Sequence, residues 1–390
     1  MTTPLGIAMV GHAFMGRTHS HAWRNAPAVF DLPRDPRMVV VAGRDAERTE
    51  AAASRLGWAE STTDWRSVLD RDDIDVVDIC TPGDSHAEIA IAALEAGKHV
   101  LCEKPLANSV AEAEAMVEAA EKAHVDGVRS MVAFNYRRVP ALALARQMIA
   151  QGAVGEIHHV RARYLQDWLL DPEFPLAWRL QKEHAGSGAL GDIGAHIIDA
   201  TQFLLGDRVA GVSALLHTFV TERPLPSGSD DGLSGTGGDE YGDVTVDDAA
   251  LFIGRMRSGA LASFEATRFA AGAKNDMGIE LYGSKGGLKF SFEAMNELWV
   301  HDATADPATG GFTRVLATEG ADPYSGSWYP PGHVLGYDHT FVHEIADFVR
   351  AIGDETDPTP SFADALSVQR VLAAVEDSAA ADGCWQEVAE

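Results

Sequence analysis

Five short apolar runs in the first third of the chain alternate with alanine-rich amphipathic segments, and that alternation leaves few folds open. The runs are Leu5 to Val10, Met38 to Ala42, Val76 to Cys80, His99 to Cys102 and Arg129 to Phe134. Between them Ala46 to Leu56, Ala87 to Ala96 and Val110 to His124 carry the helical period. Apolar, β-branched runs without polar alternation read as strands buried on both faces, so they predict a parallel sheet with helices on either side. Residues 1–134 are expected to form a doubly wound α/β domain.

After about Asn135 the texture changes. Gly155 to Leu165, Ala249 to Met256, Ala260 to Thr267 and Met277 to Tyr282 alternate apolar and polar residues, the pattern of a large, open, mainly antiparallel sheet with one face covered. Residues 135–390 are therefore expected to form a second α/β domain. Within it, Pro224 to Gly242 is rich in Gly, Ser and Asp and reads as an inserted surface loop. The helical patterns His339 to Ile352 and Phe362 to Ala379 are expected to pack back on the sheet or on the first domain.

Charge narrows the partners. With 31 basic against 58 acidic residues the formal net charge is −27, which opposes binding to nucleic acid and to anionic membrane surfaces. Neither a secretory leader nor an apolar run of about 18 residues is visible, so the expectation is a cytoplasmic protein. The three cysteines, Cys80, Cys102 and Cys384, lack metal-ligand spacing and fit a reducing compartment.

The first strand runs into Gly11-His12-Ala13-Phe14-Met15-Gly16 and then into a helical segment. Such a Rossmann-type turn presents free N–H groups to a nucleotide pyrophosphate, with Gly11, Ala13, Phe14, Met15 and Gly16 as its lining. Ala13 stands where a glycine is usual, and its methyl group is small enough for the phosphates to pass. At the end of the second strand, Gly43 occupies the position of the carboxylate that normally binds the ribose 2′-hydroxyl, and Arg44 follows it. A guanidinium without that carboxylate can pair with a 2′-phosphate, so the coenzyme expected is NAD(P), with NADP slightly favoured. A solvated Arg44 beside an Asp45 helix cap is the competing reading.

Further along, Glu103-Lys104-Pro105 follows a strand, and Gly188-Ala189-Leu190-Gly191-Asp192-Ile193-Gly194-Ala195-His196 places a carboxylate and an imidazole four residues apart. A lysine, a carboxylate and a histidine can together remove a proton from an alcohol. If 191–205 is helical, Asp192, His196 and Asp199 share one stripe at i, i+4 and i+7. His19 and His21 point apart at i, i+2 on a helix, and His158 and His159 alternate on a strand, so no metal site is expected.

The order and spacing of these segments resemble the Gfo/Idh/MocA oxidoreductases over nearly the whole chain. The resemblance rests on Gly11 to Gly16, Thr81-Pro82 followed by His86, Glu103-Lys104-Pro105, Asn135-Tyr136-Arg137, Trp178-Arg179 and Asp192-x-x-x-His196. It implies an N-terminal Rossmann domain and a C-terminal α/β domain whose open sheet makes homodimer or homotetramer contacts. It also implies an NAD(P)-dependent dehydrogenase that interconverts a secondary hydroxyl and a ketone on a cyclic polyol or sugar of the inositol, aldose or anhydrosugar type. Lys104, Asp192 and His196 would then surround the reacting carbinol, with His196 the first choice of base and Lys104 next. Thr81, Pro82, His86, Glu103 and Asn135 would line or support the nicotinamide side, and Trp178 and Arg179 would approach coenzyme or substrate. Tyr164, Asp167 and Tyr337, together with Trp168, are further candidates for holding a polyhydroxylated ring. Two alternatives are a glycoside-cleaving enzyme that retains its NAD and a non-enzymatic nucleotide sensor.

Overall fold

The computed structural model describes residues 3–227 and 235–389. Among them the chain forms two compact units, one running to Asn135 and taking in Gly336–Leu366, the other comprising Tyr136–Leu335 and the chain from Ser367. Residues 336–366, expected in the second domain, thus lie in the first unit.

In the first unit β1 (Thr3–Val10), α1 (Phe14–Val29), β2 (Arg34–Ala42), α2 (Ala46–Leu56), β3 (Glu60–Thr62), β4 (Val76–Ile79), α3 (His86–Glu95), β5 (His99–Cys102), α4 (Val110–Val125) and β6 (Ser130–Val132) alternate. The strands form one parallel sheet in the order β3-β2-β1-β4-β5-β6. Every residue of β4 is buried, as the apolar runs require, and Asp78 is the charged exception among them. The order switches direction between β1 and β4, where open α/β sheets place their crevice at the carboxyl ends of the strands.

The second unit begins with α5 (Pro140–Ala150), β7 (Ile157–Leu165), the short α6 (Lys182–Ala185) and α7 (Ala195–Leu205). Strands follow: β8 (Val209–His217), β9 (Glu222–Pro226), β10 (Gly237–Asp243), β11 (Ala249–Met256), β12 (Leu261–Thr267), β13 (Asp276–Gly283), β14 (Gly286–Ser291), β15 (Glu297–Asp302) and β16 (Thr313–Leu316). The chain then adds α8 (Tyr337–Gly353) to the first unit, and continues through α9 (Phe362–Ala380) to β17 (Gln386–Glu387). The large sheet runs β16-β15-β14-β13-β7-β12-β11-β8-β17, antiparallel throughout except where β7 meets β12. Helices α5 and α7 pack on one face. On the other, β11 turns Leu251 and Ile253 outward, and Leu215 and Leu261 join them.

The expected loop over 224–242 is in part regular structure. Its ends form an antiparallel arm in which Asp243 pairs with Glu222 and Tyr241 with Pro224; residues 228–234 lie outside the described part. The arm is anchored by the fully buried Arg223, which donates to the carbonyl oxygens of Asp171 and Leu169, both at 2.7 Å. Leu169, Leu176, Leu180, Val244 and Val246 form the apolar cluster beneath it.

In the first unit α8 packs on α1, bringing Phe341 to His19 (ring centroids 5.6 Å) and His343 to Phe30 (5.8 Å). Asn135 donates its amide to Thr340 Oγ1 at 2.8 Å.

Candidate active site

At the end of β1 the backbone dictates the residues. Gly11 has φ +97°, and a Cβ there would lie 2.7 Å from the carbonyl oxygen of Cys80. A Cβ on Gly16 would lie 2.2 Å from the carbonyl oxygen of Gly11. Ala13 is the N-cap of α1; among the described residues it makes no side-chain cap, and the first turn holds no acid. The first-turn amides of Phe14, Met15 and Gly16 are the ones a helix leaves without internal acceptors, the donors that a pyrophosphate would need.

Beside this turn, Gly43 lies under the ring of His12: a Cβ on Gly43 would come within 2.4 Å of His12 Nε2 and of Thr49 Oγ1. Those two atoms are 3.1 Å apart, and burial lowers the pKa of His12. Sequence reasoning missed His12, because its partners lie across the β1–β2 ladder. Asp45 Oδ1 accepts the N–H of Arg48 at 2.9 Å and caps α2, while Arg44 is exposed.

The ends of β4 and β5 carry the next group. His86 is buried between two main-chain carbonyls, Thr81 O at 2.9 Å and Pro105 O at 3.0 Å, and Ser85 Oγ donates to Thr81 Oγ1 at 2.8 Å. His86 thus braces the segment that carries Thr81 and Pro82 against the one that carries Lys104. The Lys104–Pro105 peptide is cis. Glu103 is buried and accepts the Lys104 N–H at 3.0 Å. Its other oxygen lies 3.0 Å from Nε2 of His19, whose Nδ1 faces Asp78. Ligating atoms of His19, Asp78 and Cys80 lie within 4.8 Å of one another, and hydrogen bonds already join them. Asn135, expected beside the coenzyme, commits its amide to Thr340 of α8.

In the second unit Asp247 shapes the loop before α7. It accepts the N–H groups of Gly188 (2.7 Å) and Leu190 (2.8 Å), and a Cβ on Gly188 would lie 1.8 Å from the Asp247 carbonyl oxygen. The chain then makes a π-helical turn over Leu190–Gly194 before α7 starts at Ala195. The regular stripe of Asp192, His196 and Asp199 is corrected accordingly: a π turn widens the path, as often happens at functional sites. Asp199 also leaves the set, because its buried carboxylate binds Arg137 Nε at 2.8 Å and Nη2 at 2.5 Å.

His196 is buried, with its ring against Tyr136 (4.6 Å between centroids) and Tyr164 (5.9 Å). The two tyrosine hydroxyls are 2.5 Å apart, and Tyr164 donates to Asn275 Oδ1 at 2.7 Å. Burial pushes the Tyr136 phenol up to about 12, so it stays protonated at neutral pH and serves as a neutral donor or acceptor. Asp192 is a quarter exposed, and the fully buried Arg268 places Nη1 3.7 Å from its carboxylate. This half-site thus offers a solvent-reached carboxylate, a buried imidazole and a hydroxyl pair, which together can orient an alcohol and take its proton. Tyr136 and Asn275 belong to it without having been singled out as site residues.

The remaining candidates are distributed more widely. Asp167 accepts from Lys274 Nζ at 2.7 Å and from the Gly272 N–H at 3.1 Å. Trp168 donates to Gln166 Oε1 at 2.9 Å. The Arg179 guanidinium stacks 4.3 Å above the ring of Trp178, its chain neighbour. Tyr337 belongs to the first unit, where it packs edge-on against Phe341 at 5.1 Å.

Two family models match the chain. One, described as an oxidoreductase family with an NAD-binding Rossmann fold (Gfo/Idh/MocA), covers residues 5–131; the other, the Gfo/Idh/MocA C-terminal domain, covers 142–289. Levoglucosan dehydrogenase of Pseudarthrobacter phenanthrenivorans is 44% identical over 388 residues, 98% of either chain. Among solved structures, an oxidoreductase domain protein from Kribbella flavida is 62% identical with a TM-score of 0.95, each chain covered in full. A levoglucosan dehydrogenase in complex with NADH and levoglucosan is 42% identical with a TM-score of 0.92, again over the whole of both chains.

Proposed function

Because the chain belongs to the Gfo/Idh/MocA oxidoreductase family, we propose that it oxidises a secondary hydroxyl of an anhydrosugar to a ketone, with a levoglucosan-like ring as substrate. The observation that carries this reading is the Asp192–His196–Tyr136–Tyr164 cluster, in a chain similar over its full length to a levoglucosan dehydrogenase.

When bound, the dinucleotide supplies the hydride acceptor. The chain's own residues handle the rest. The carbinol C–H bond breaks towards that acceptor, the O–H proton moves to His196, and the carbon–oxygen double bond forms. Asp192 is proposed to hold that hydroxyl as His196 takes its proton, and Lys104 keeps the substrate-facing role that the family resemblance implies. Buried Arg268, 3.7 Å from the Asp192 carboxylate, helps to orient it, and the Tyr136–Tyr164–Asn275 chain provides neutral hydrogen-bond partners for ring hydroxyls. Neither the glycoside-cleaving nor the nucleotide-sensing alternative has an observation in its favour.

For the coenzyme we propose NAD(H), with NADP admitted. NADH occupies the similar levoglucosan dehydrogenase structure, which moves the balance away from the sequence's lean to NADP. NADP stays admitted because no carboxylate stands at Gly43 and the Arg44 next to it is exposed. We further propose that copies of the chain associate through the open sheet face, where Leu215, Ile253 and Leu261 are 67%, 60% and 58% exposed. No helix among the described residues is long and apolar enough to cross a membrane. The cytoplasmic setting we propose rests on the free thiols of the three cysteines.

The test is coenzyme reduction, followed in the near ultraviolet, with levoglucosan, inositols and aldoses, alongside Lys104→Ala. Lysine-dependent reduction with an anhydrosugar is expected. Reduction by inositol alone would reject the substrate class, and coenzyme binding without any reduction would reject the reaction.

A further inference from the structure

Within the first unit one buried charge cluster reaches the candidate catalytic lysine. His19 lies on α1, the helix whose first turn forms the anion site, and it is fully buried. Its Nδ1 is 3.0 Å from both carboxylate oxygens of Asp78, in the central strand β4, and its Nε2 is 3.0 Å from Glu103 Oε1, just past β5. One helical turn on, Trp23 donates its indole N–H to Asp78 Oδ2 at 2.7 Å. The second oxygen of Glu103 accepts the Lys104 N–H at 3.0 Å. A continuous hydrogen-bonded path thus joins the phosphate-facing helix to the main chain of Lys104.

We propose that His19 is a positioning residue for Lys104: it clamps Asp78 and Glu103 together and so fixes the carboxylate that holds the lysine's main chain. This rests on the reading of Lys104 as a residue that faces the substrate. Ionised carboxylates only accept hydrogen bonds, so an imidazole between two of them has to donate from both nitrogens, which makes it an imidazolium. Its surroundings agree, for Asp78 and Cys80 both favour the charged ring against the effect of burial. Phe341 of α8, whose ring lies 5.6 Å from that of His19, carries no charge. Sequence gave His19 no role, since its acidic partners lie 59 and 84 residues away.

The experiment pairs nuclear magnetic resonance of ring-labelled histidines with a kinetic cycle. At neutral pH both ring nitrogens of His19 should carry protons in the wild-type protein. In Glu103→Gln the carboxamide oxygen can keep the Lys104 N–H while its NH2 donates to Nε2, so Nε2 should lose its proton. A neutral His19 in the wild type overturns the proposal. His19→Gln leaves two carboxylates facing each other and can fail to fold, so near-isosteric Glu103→Gln carries the kinetics. It should lower kcat at least about tenfold, leave the coenzyme KM within about twofold, and have no further effect in a Lys104→Ala background. Equal losses in both backgrounds overturn the positioning role alone. Full turnover by Lys104→Ala overturns the functional reading, and the positioning role with it.

Discussion

At the glycine turn of the first unit the chain is defined by what a side chain would strike, whereas around His196 in the second it is defined by what side chains reach. Gly11, Gly16 and Gly43 each have another atom within 2.7 Å of where a Cβ would stand, and the donors there are main-chain amides. Around α7 the proposed functional atoms are phenols, an imidazole and a carboxylate, set by partners such as Asn275 and Arg268. The contrast teaches that the first site is a property of the fold, shared by chains with little else in common. The second can be retuned residue by residue without moving a strand.

The largest effect should separate chemistry from binding. His196→Asn is expected to lower kcat by about 10²- to 10⁴-fold, the range of general-base catalysis, with coenzyme affinity within about twofold by fluorescence titration. Lost coenzyme binding would break the division between the units. In the opposite direction, Gly11→Ala places a methyl group against the Cys80 carbonyl at φ +97° and should weaken coenzyme binding by roughly 100-fold, about 3 kcal/mol. Retained affinity would show that the turn gives way.

Next comes the pH dependence of the first unit's stability. His19 has a pKa raised well above 6.5 in the folded protein, so the stability that its charge contributes is complete below about 6.5 and is lost as the pH rises through the raised value. The Tm gap between the wild type and near-isosteric Glu103→Gln, in which the ring loses one carboxylate partner, should therefore be widest in mild acid and narrow in alkali. A gap that widened with pH would reverse the assigned charge.

Smaller effects sharpen the comparison at its edges. Arg44→Ala should weaken NADP by about 1–2 kcal/mol and leave NAD nearly unchanged, because only a 2′-phosphate meets the guanidinium. Equal losses would remove Arg44 from specificity. Tyr136→Phe removes one hydroxyl from the Tyr164–Asn275 chain and should lower stability by about 1 kcal/mol while raising substrate KM. An unchanged KM would leave the hydroxyl pair a purely structural bond.

What could be read from the sequence follows the range of the interactions. Parallel strands declare themselves by unbroken apolar runs, and the glycine turn, Glu103-Lys104 and Asp192-x-x-x-His196 are local spellings. The π turn over Leu190–Gly194 is set by Asp247, 59 and 57 residues downstream of the amides it accepts, so a local period cannot show it. Tyr136 and Asn275 are 139 residues apart. The arm around 224–242 looked like a loop because glycine and proline hide its pairing, while Arg223, fully buried, is read from sequence as a surface cation. Residues 336–366 carry an ordinary amphipathic pattern that does not say which sheet they cover.

The return of α8 to the first unit has a consequence for biosynthesis. Arg129 binds the carbonyl oxygen of Thr356, 227 residues later, and Asn135 binds Thr340, 205 residues later. A nascent chain that has emerged as far as β6 carries every strand of the parallel sheet, yet α1 still shows water the side on which α8 will lie. Residues 136–335, the larger part of the second unit, must leave the ribosome before that side is covered. Cotranslational chaperones that recognise apolar helix faces would therefore find their longest opportunity on the segment that includes Phe30, and a nonsense mutation anywhere between β6 and α8 would yield the parallel sheet without its closing helix.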